Sequence, residues 1–206
     1  MYKICVYTIC KNERARIEQW LEYVKEADCI VVLDTGSTDG TYEFLQSREN
    51  IICHQKIFEH FRFDVARNEA LALVPKDCEI CLPLDVDMML PKEWSKALKC
   101  AWRKDLCSLK IPQYFKANNR SGIWIAHRRN DVKWKYPVYE LLIGEGRQGS
   151  VVNTLIIHDF NPNKTSHKMY MSLAELGVSE NPDDPYCKRA RYLISQEMEV
   201  DHANNA

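Results

Sequence analysis

Two apolar stretches of this chain stop abruptly at carboxylates, and turn residues and a helix follow each one. Cys29-Ile30-Val31-Val32-Leu33 runs into Asp34 and the cluster Thr35-Gly36-Ser37-Thr38-Asp39-Gly40-Thr41. Glu79-Ile80-Cys81-Leu82-Pro83-Leu84 runs into Asp85-Val86-Asp87. Short apolar runs bounded by polar residues are what a strand covered on both faces needs, and such strands are at home in parallel sheets. Side chains two apart in an extended backbone share a face. Asp85 and Asp87 are therefore expected to point together into the crevice beyond the sheet, where two like charges need a cation or donors between them. A hard divalent ion, Mg2+ or Mn2+, suits that place, because it takes few protein oxygens and fills its shell with phosphate and water. The plainer reading is that one of these acids caps the helix that Pro91 begins.

The rest of the first half repeats the pattern. Tyr2 to Ile9 reads as a first strand ending in Cys10-Lys11-Asn12-Glu13, followed by a helix with Ile17, Trp20, Leu21 and Val24 at helical spacing. Ile51 to Cys53 is a short third strand. Asp64 to Val74 is a helix with Val65, Ala66, Leu71 and Leu73 as its apolar set, and another helix runs from Pro91 to about Arg103. Alternating strands and helices predict an α/β fold: a mostly parallel sheet with helices on both faces, binding its ligands at the carboxyl ends of the strands. Asp34, Asp85 and Asp87 all fall at that rim.

After residue 105 the pattern changes. Leu106 to Phe115 and Gly122 to Arg129 predict a hairpin around Asn118-Asn119-Arg120-Ser121-Gly122, and Val151 to Ile157 predicts a further strand ending in His158-Asp159. Between them lies Trp134-Lys135-Tyr136-Pro137-Val138-Tyr139-Glu140. Met169 to Leu176 and Tyr186 to Val200 read as two helices separated by Asn181-Pro182-Asp183-Asp184-Pro185. The expected division is 1–104, 105–160 and a helical extension over 161–206.

Composition narrows the function classes. A formal net charge of -1 argues against a general nucleic-acid coat. The nine cysteines are scattered over apolar strand positions such as Cys5, Cys29 and Cys53, and no secretory segment precedes them. They read as reduced thiols in a cytoplasmic protein. Cys78-x-x-Cys81 has a metal-ligand spacing, but no second pair at zinc spacing follows it, so no structural zinc is expected. No apolar run approaches the roughly 20 residues that span a bilayer. Arg62 and Arg67 stand near the start of a helix, where positive charge opposes the dipole, and so call for anionic partners. Glu59 and Glu69 are the plain candidates. From Tyr114 to Tyr136 the chain carries Lys116, Arg120, Arg128, Arg129, Lys133 and Lys135, interleaved with Phe115, Trp124 and Trp134. That combination reads as a solvated hairpin face, or as a surface holding a phosphorylated, glycan or nucleic-acid acceptor.

Four stretches in this order resemble family 2 glycosyltransferases of the GT-A fold: Lys11-Asn12-Glu13, Leu33-Asp34-Thr35-Gly36-Ser37-Thr38-Asp39-Gly40-Thr41, Ala66-Arg67-Asn68-Glu69-Ala70-Leu71, and Leu84-Asp85-Val86-Asp87. Ile156-Ile157-His158-Asp159-Phe160 and the terminal segment are similar to members in which helical repeats follow the catalytic domain, of which about one helix is present here. The resemblance implies a Rossmann-like mixed sheet, with 1–104 as the nucleotide-binding half and 105–160 as the acceptor half. It implies a metal-dependent transfer of sugar from a nucleotide-diphosphate sugar, a UDP-sugar by preference, to an acceptor hydroxyl with inversion.

By position, the resemblance places Thr8 and Asp34 around the base and ribose, and Arg67 near the base or diphosphate. Asp85 would face the ribose and hydrated metal, with Asp87 and His158 as ligands to Mn2+ or Mg2+. Glu140 is the candidate base, with Asp131 and Asp159 as fallbacks, and a salt bridge from Glu140 to Lys133 or Lys135 is its plainer role. The default acceptor is a saccharide or glycolipid, with a peptide or modified nucleic acid as lesser options. The alternatives are a nucleotide-sugar-binding module without turnover and a sugar nucleotidyltransferase. No Gly-rich phosphate loop follows strand one, which disfavours the latter.

Overall fold

The computed structural model describes residues 2–116, 120–159 and 167–204. Its main sheet begins with β1 (Ile4–Cys10), β2 (Cys29–Asp34), β3 (Ile51–Gln55) and β4 (Ile80–Pro83), which pair in parallel in the order β3-β2-β1-β4. Beside β4 the direction reverses. There the sheet continues as β7 (Arg120–His127), β6 (Leu106–Phe115), β11 (Ile156–His158) and β5 (Met88–Met89), with β10 (Arg147–Ser150) also paired to β6. β6 and β7 form the expected antiparallel hairpin, while β11 runs parallel to β6 and antiparallel to β5. A separate two-stranded sheet joins β8 (Val132–Lys135) to β9 (Leu141–Gly144).

Alternation along β1 divides the core. Ile4, Val6 and Cys10 face α1 (Arg14–Val24), α2 (Thr41–Gln46) and α4 (Trp94–Ala101), which contribute Ile17, Trp20, Val24, Leu45, Trp94 and Leu98. Cys5 and Tyr7 face α3 (Phe63–Ala72) with its Ala70 and Leu71. Helices therefore cover both faces, as the apolar strands require. α5 (His167–Glu180) and α6 (Pro185–Asn204) close a smaller cluster in which Leu173, Ala174 and Ile194 pack on Val138.

Four local expectations change. The strand before the acidic pair ends at Pro83, and Met88 N–H bonds Asp85 O at 2.9 Å, so Asp85 to Asp87 lie on a turn. The helix expected from Pro91 starts only at Trp94, because Glu93 is left-handed at φ 64°. Its exposed N–H groups are met by Glu26, whose carboxylate accepts from Glu93 N at 2.7 Å and Ser95 N at 3.2 Å, so neither Asp85 nor Asp87 caps it. Of the strand expected over 151–157 only Ile156–His158 forms, and Val152 is 84% exposed. The neighbouring β10 and the β8–β9 sheet, short and rich in polar or exposed residues, carry no alternation to announce them.

Candidate functional site

Arg67 is the hub of the carboxyl rim. α3 carries it inward until only 6% of its side chain is exposed. Nη1 lies 2.9 Å from Asp85 Oδ1 and Nη2 donates to Asp85 Oδ2 at 3.1 Å, while Nε donates to Glu140 Oε1. The ring of Trp134 lies 5.1 Å from the guanidinium carbon, within cation–π range. Burial alone would pull the Arg67 pKa down. The charges of Asp85 and Glu140 outweigh it and hold the group above its ordinary value. The simple pairs with Glu59 and Glu69 do not form: Glu69 goes to Lys56 at 2.7 Å, and Arg62 binds Asp64 and Glu180.

Glu140 ends a loop that three helices clamp. Tyr136 and Tyr139 have φ of 84° and 49°, conformations that side chains with a Cβ adopt only when their surroundings impose them. From α3, Asn68 exchanges two 2.9 Å hydrogen bonds with the Trp134 backbone, and Phe63 N–H bonds Pro137 O at 3.0 Å. From α6, the Tyr186 hydroxyl donates to Tyr139 O and its ring stacks on Tyr136 at 4.6 Å. Asp184 accepts from the Tyr136 hydroxyl at 2.8 Å and lies 3.8 Å from Lys135, so the expected alternative of a Lys135 bridge to Glu140 is not formed. α5 adds Tyr170, whose hydroxyl is pushed up to about 12, first by burial and then by the nearby charges of Glu140 and Asp85. Sequence reading missed Asn68, Tyr170 and Tyr186. Only Asn68, inside a quoted motif, carried a signal.

Beneath this loop runs a buried relay. Trp134 Nε1–H donates to the Tyr7 hydroxyl at 2.8 Å, and that hydroxyl sits 2.8 Å from His127 Nε2. His127 Nδ1 lies 2.6 Å from Arg128 O. A carbonyl can only accept, so Nδ1 carries the ring proton and Nε2 accepts from Tyr7. Burial holds this imidazole neutral, down to about 4, against a small opposing pull from the Arg128 carbonyl.

Asp87 and His158 form the second group. Because β11 inserts between β6 and β5, His158 pairs in register with Met88, and its Nε2 comes within 3.1 Å of Asp87 Oδ2. Asp159 N–H also bonds Asp87 O at 2.8 Å. Burial works against a charged His158, but the hydrogen bond and charge of Asp87, with Asp85 and Asp159 behind it, raise its pKa. Asp87 Oδ1 is buried without a hydrogen-bond partner, an arrangement that costs free energy unless something else meets it. A carboxylate oxygen so placed beside an imidazole is the donor set that a divalent cation accepts. The residues therefore fit the expected ion.

Thr8 and Asp34 reach the same rim, both with 0% exposure. Asp34 Oδ1 accepts from Gly36 N at 2.9 Å, Ser37 N at 2.8 Å and Gln55 Nε2 at 3.0 Å. Those bonds overcome burial and hold the carboxylate below its usual range. Oδ2 accepts from the Cys10 thiol, a weak donor, at 3.7 Å. The turn it organises leads through Gly36 and Gly40, at φ 106° and 88°, into α2.

The fallback bases fare differently. Asp131 is 76% exposed, pairs with Arg128 at 3.7 Å, and stands at the end of β8 away from Glu140. Asp159 pairs with Lys116 at 3.5 Å beside Asp87. The basic and aromatic stretch does not form one face. Arg128 and Arg129 donate to backbone carbonyls, Trp134 is buried, and Trp124 Nε1–H bonds Pro83 O. The Arg120 side chain lies outside the described residues.

The family model for glycosyl transferase family 2 matches residues 5–167. No curated protein matches the chain in a sequence search. Among solved structures, TarS 1–349 from S. aureus in complex with UDP is 15% identical, covers 92% of this chain and 69% of its own, and has a TM-score of 0.58. The same protein in complex with UDP-GlcNAc gives 14% identity, 92% and 70% coverage, and a TM-score of 0.57. The 4-diphosphocytidyl-2C-methyl-D-erythritol synthase of Anaerococcus prevotii is 13% identical, with 85% and 98% coverage and a TM-score of 0.51. At these identities the likeness is one of fold, the mixed sheet of GT-A enzymes. With the family model covering more than half of it, the chain belongs to glycosyl transferase family 2.

Proposed function

We propose that this protein transfers a sugar from a UDP-sugar to an acceptor hydroxyl with inversion, using a divalent metal held by Asp87 and His158. The observation that carries the reading is the convergence at one rim of Asp85, Glu140 and Arg67 with the buried, unpartnered Oδ1 of Asp87. When bound, Mn2+ or Mg2+ would neutralise charge building on the departing nucleoside diphosphate.

The chain's own residues supply the rest. Thr8 and Asp34 frame the nucleoside, and Asp34 Oδ2 exchanges its thiol partner for the imide N–H of the base. Asp85, oriented by Arg67, faces the ribose. Glu140 takes the acceptor proton as the hydroxyl attacks the anomeric carbon. Its Oε1 is anchored on Arg67, so the carboxylate is positioned before substrate arrives. Residues 105–160 present the acceptor, which we take to be a saccharide or glycolipid, and α5 and α6 form a helical extension that braces the Glu140 loop.

No helix among the described residues is long and apolar enough to cross a membrane. The unpaired thiols support a reducing, cytoplasmic setting. A structure solved with UDP-GlcNAc shares the fold, but so does a cytidylyl-type synthase. The missing Gly-rich loop after β1 weighs against nucleotidyl transfer.

Calorimetry with UDP in the presence and absence of Mn2+ tests the reading. Binding should require the metal and be lost in Asp87→Ala, and a donor and acceptor array read by mass spectrometry should show UDP release with a glycosylated product. Metal-independent binding unaffected by Asp87→Ala, or a donor complex that releases no UDP with any acceptor, overturns it.

A further inference from the structure

At the opposite end of the sheet from the carboxylates, the fold gathers cysteines that the sequence scatters. Parallel register sets Cys5 of β1 beside Cys29 of β2 on one side and Cys81 of β4 on the other. Residues at one level of neighbouring strands point to the same face, so these three thiols form a row across the sheet. The turn after α3 then lays Cys78 over the row. The sulfur atoms of Cys5, Cys29 and Cys78 all lie within 4.8 Å of one another. Cys5 and Cys78 are buried, and Cys29 is half-buried and in reach of solvent.

We propose that Cys5, Cys29 and Cys78 form a thiolate site for Zn2+, independent of the catalytic rim. Zinc–thiolate bonds of about 2.3 Å in tetrahedral array place sulfurs about 3.8 Å apart. Closure from the present geometry asks each sulfur to move by less than about 1 Å, within the reach of a χ1 adjustment. Cys78-x-x-Cys81 lacks a second pair close in sequence, but the sheet supplies the missing ligands from β1 and β2. The fourth position falls to water entering beside Cys29.

Each ligating thiol releases its proton to solvent, so one ion displaces up to three protons and leaves a site of net charge -1. Lys3, whose ammonium pairs with Asp77 in the same turn, lies close enough to offset part of that charge. Bound zinc would tie the α3–β4 connection to the amino ends of β1 and β2.

The test uses the whole reduced protein in an Asp87→Ala background, so that the carboxylate–histidine pair contributes nothing. Co2+ should give one equivalent of thiolate-to-cobalt charge-transfer absorption, displaced by one equivalent of Zn2+. Loss of a second-shell partner weakens metal sites by about 10–100-fold. Cys29→Ser or Cys78→Ser, which remove a ligand outright, should weaken Zn2+ binding by more than about 100-fold. Cys100→Ser, an exposed cysteine on α4, should leave it unchanged. In the unsubstituted chain, Zn2+ should slow alkylation of Cys29 and not of Cys100. Absence of the charge-transfer band, its survival in both ligand variants, or alkylation of Cys29 at the same rate with and without Zn2+ overturns the proposal.

Discussion

Acidifying the protein from about pH 7 to about pH 5 should expose the energetic role of His127. Its imidazole is 0% exposed, and both nitrogens are engaged, Nε2 by the Tyr7 hydroxyl and Nδ1 by the Arg128 carbonyl. Burial sets its pKa at about 4, whereas the unfolded chain titrates near 6.5. The unfolded state therefore binds the proton first as pH falls. The stability that His127 contributes is fully present above about pH 6.5 and disappears progressively down to about pH 4. Each tenfold difference in proton affinity is worth about 1.4 kcal/mol, so the full loss is about 3 kcal/mol and the part realised at about pH 5 is about 2 kcal/mol. Urea unfolding at the two pH values, on the parent and on His127→Gln, isolates the effect. Subtraction removes the contributions of His158, whose raised pKa acts in the opposite sense, and of Asp34, whose carboxylate is held below its usual range. The parent should lose about 2 kcal/mol more than the variant. Equal losses in both would refute the argument that burial keeps this ring neutral.

Substitutions at three residues probe the rim. Arg67→Ala leaves Asp85 and Glu140 facing each other without a counter-charge, and should lower unfolding free energy by about 3 kcal/mol in denaturant titrations. Arg67→Lys should recover less than half of that, since one ammonium cannot reproduce the fork between two carboxylates. Glu140→Gln should cut turnover by about 100-fold or more while UDP affinity, read by calorimetry, moves by less than about threefold. Tyr186→Phe removes the donor to Tyr139 O, and should lower stability by about 1 kcal/mol and reduce kcat more than it changes KM.

The sequence made much of this legible because strand ends and turns are local events. Asp34 with the Gly36 to Thr41 turn, and the apolar runs of β1, β2 and β4, could be read directly because burial on both faces leaves a continuous hydrophobic signature. What stayed hidden depends on distant partners. An apolar run tells that a strand exists, but where β4 ends is decided by its neighbours, and so Asp85 and Asp87 fall on a turn with separate partners, Arg67 and His158. The Arg67–Glu140 pair joins residues 73 apart, and no local pattern encodes it. The start of α4 is set by Glu26, far from Pro91 in sequence. Val151 to Ile157 has strand composition, but most of it has no partner strand to pair with. The His127 relay is likewise invisible one residue at a time, because each member is an ordinary strand residue until the sheet assembles.

The late insertion of β11 between β6 and β5 has a consequence for how the protein is made. His158 meets Asp87 only where β11, late in the chain, lies between two strands that precede it in sequence. A chain synthesised only as far as β10 carries half of the Asp87–His158 pair. On the proposed function, the centre stays incomplete until residue 158 has been made.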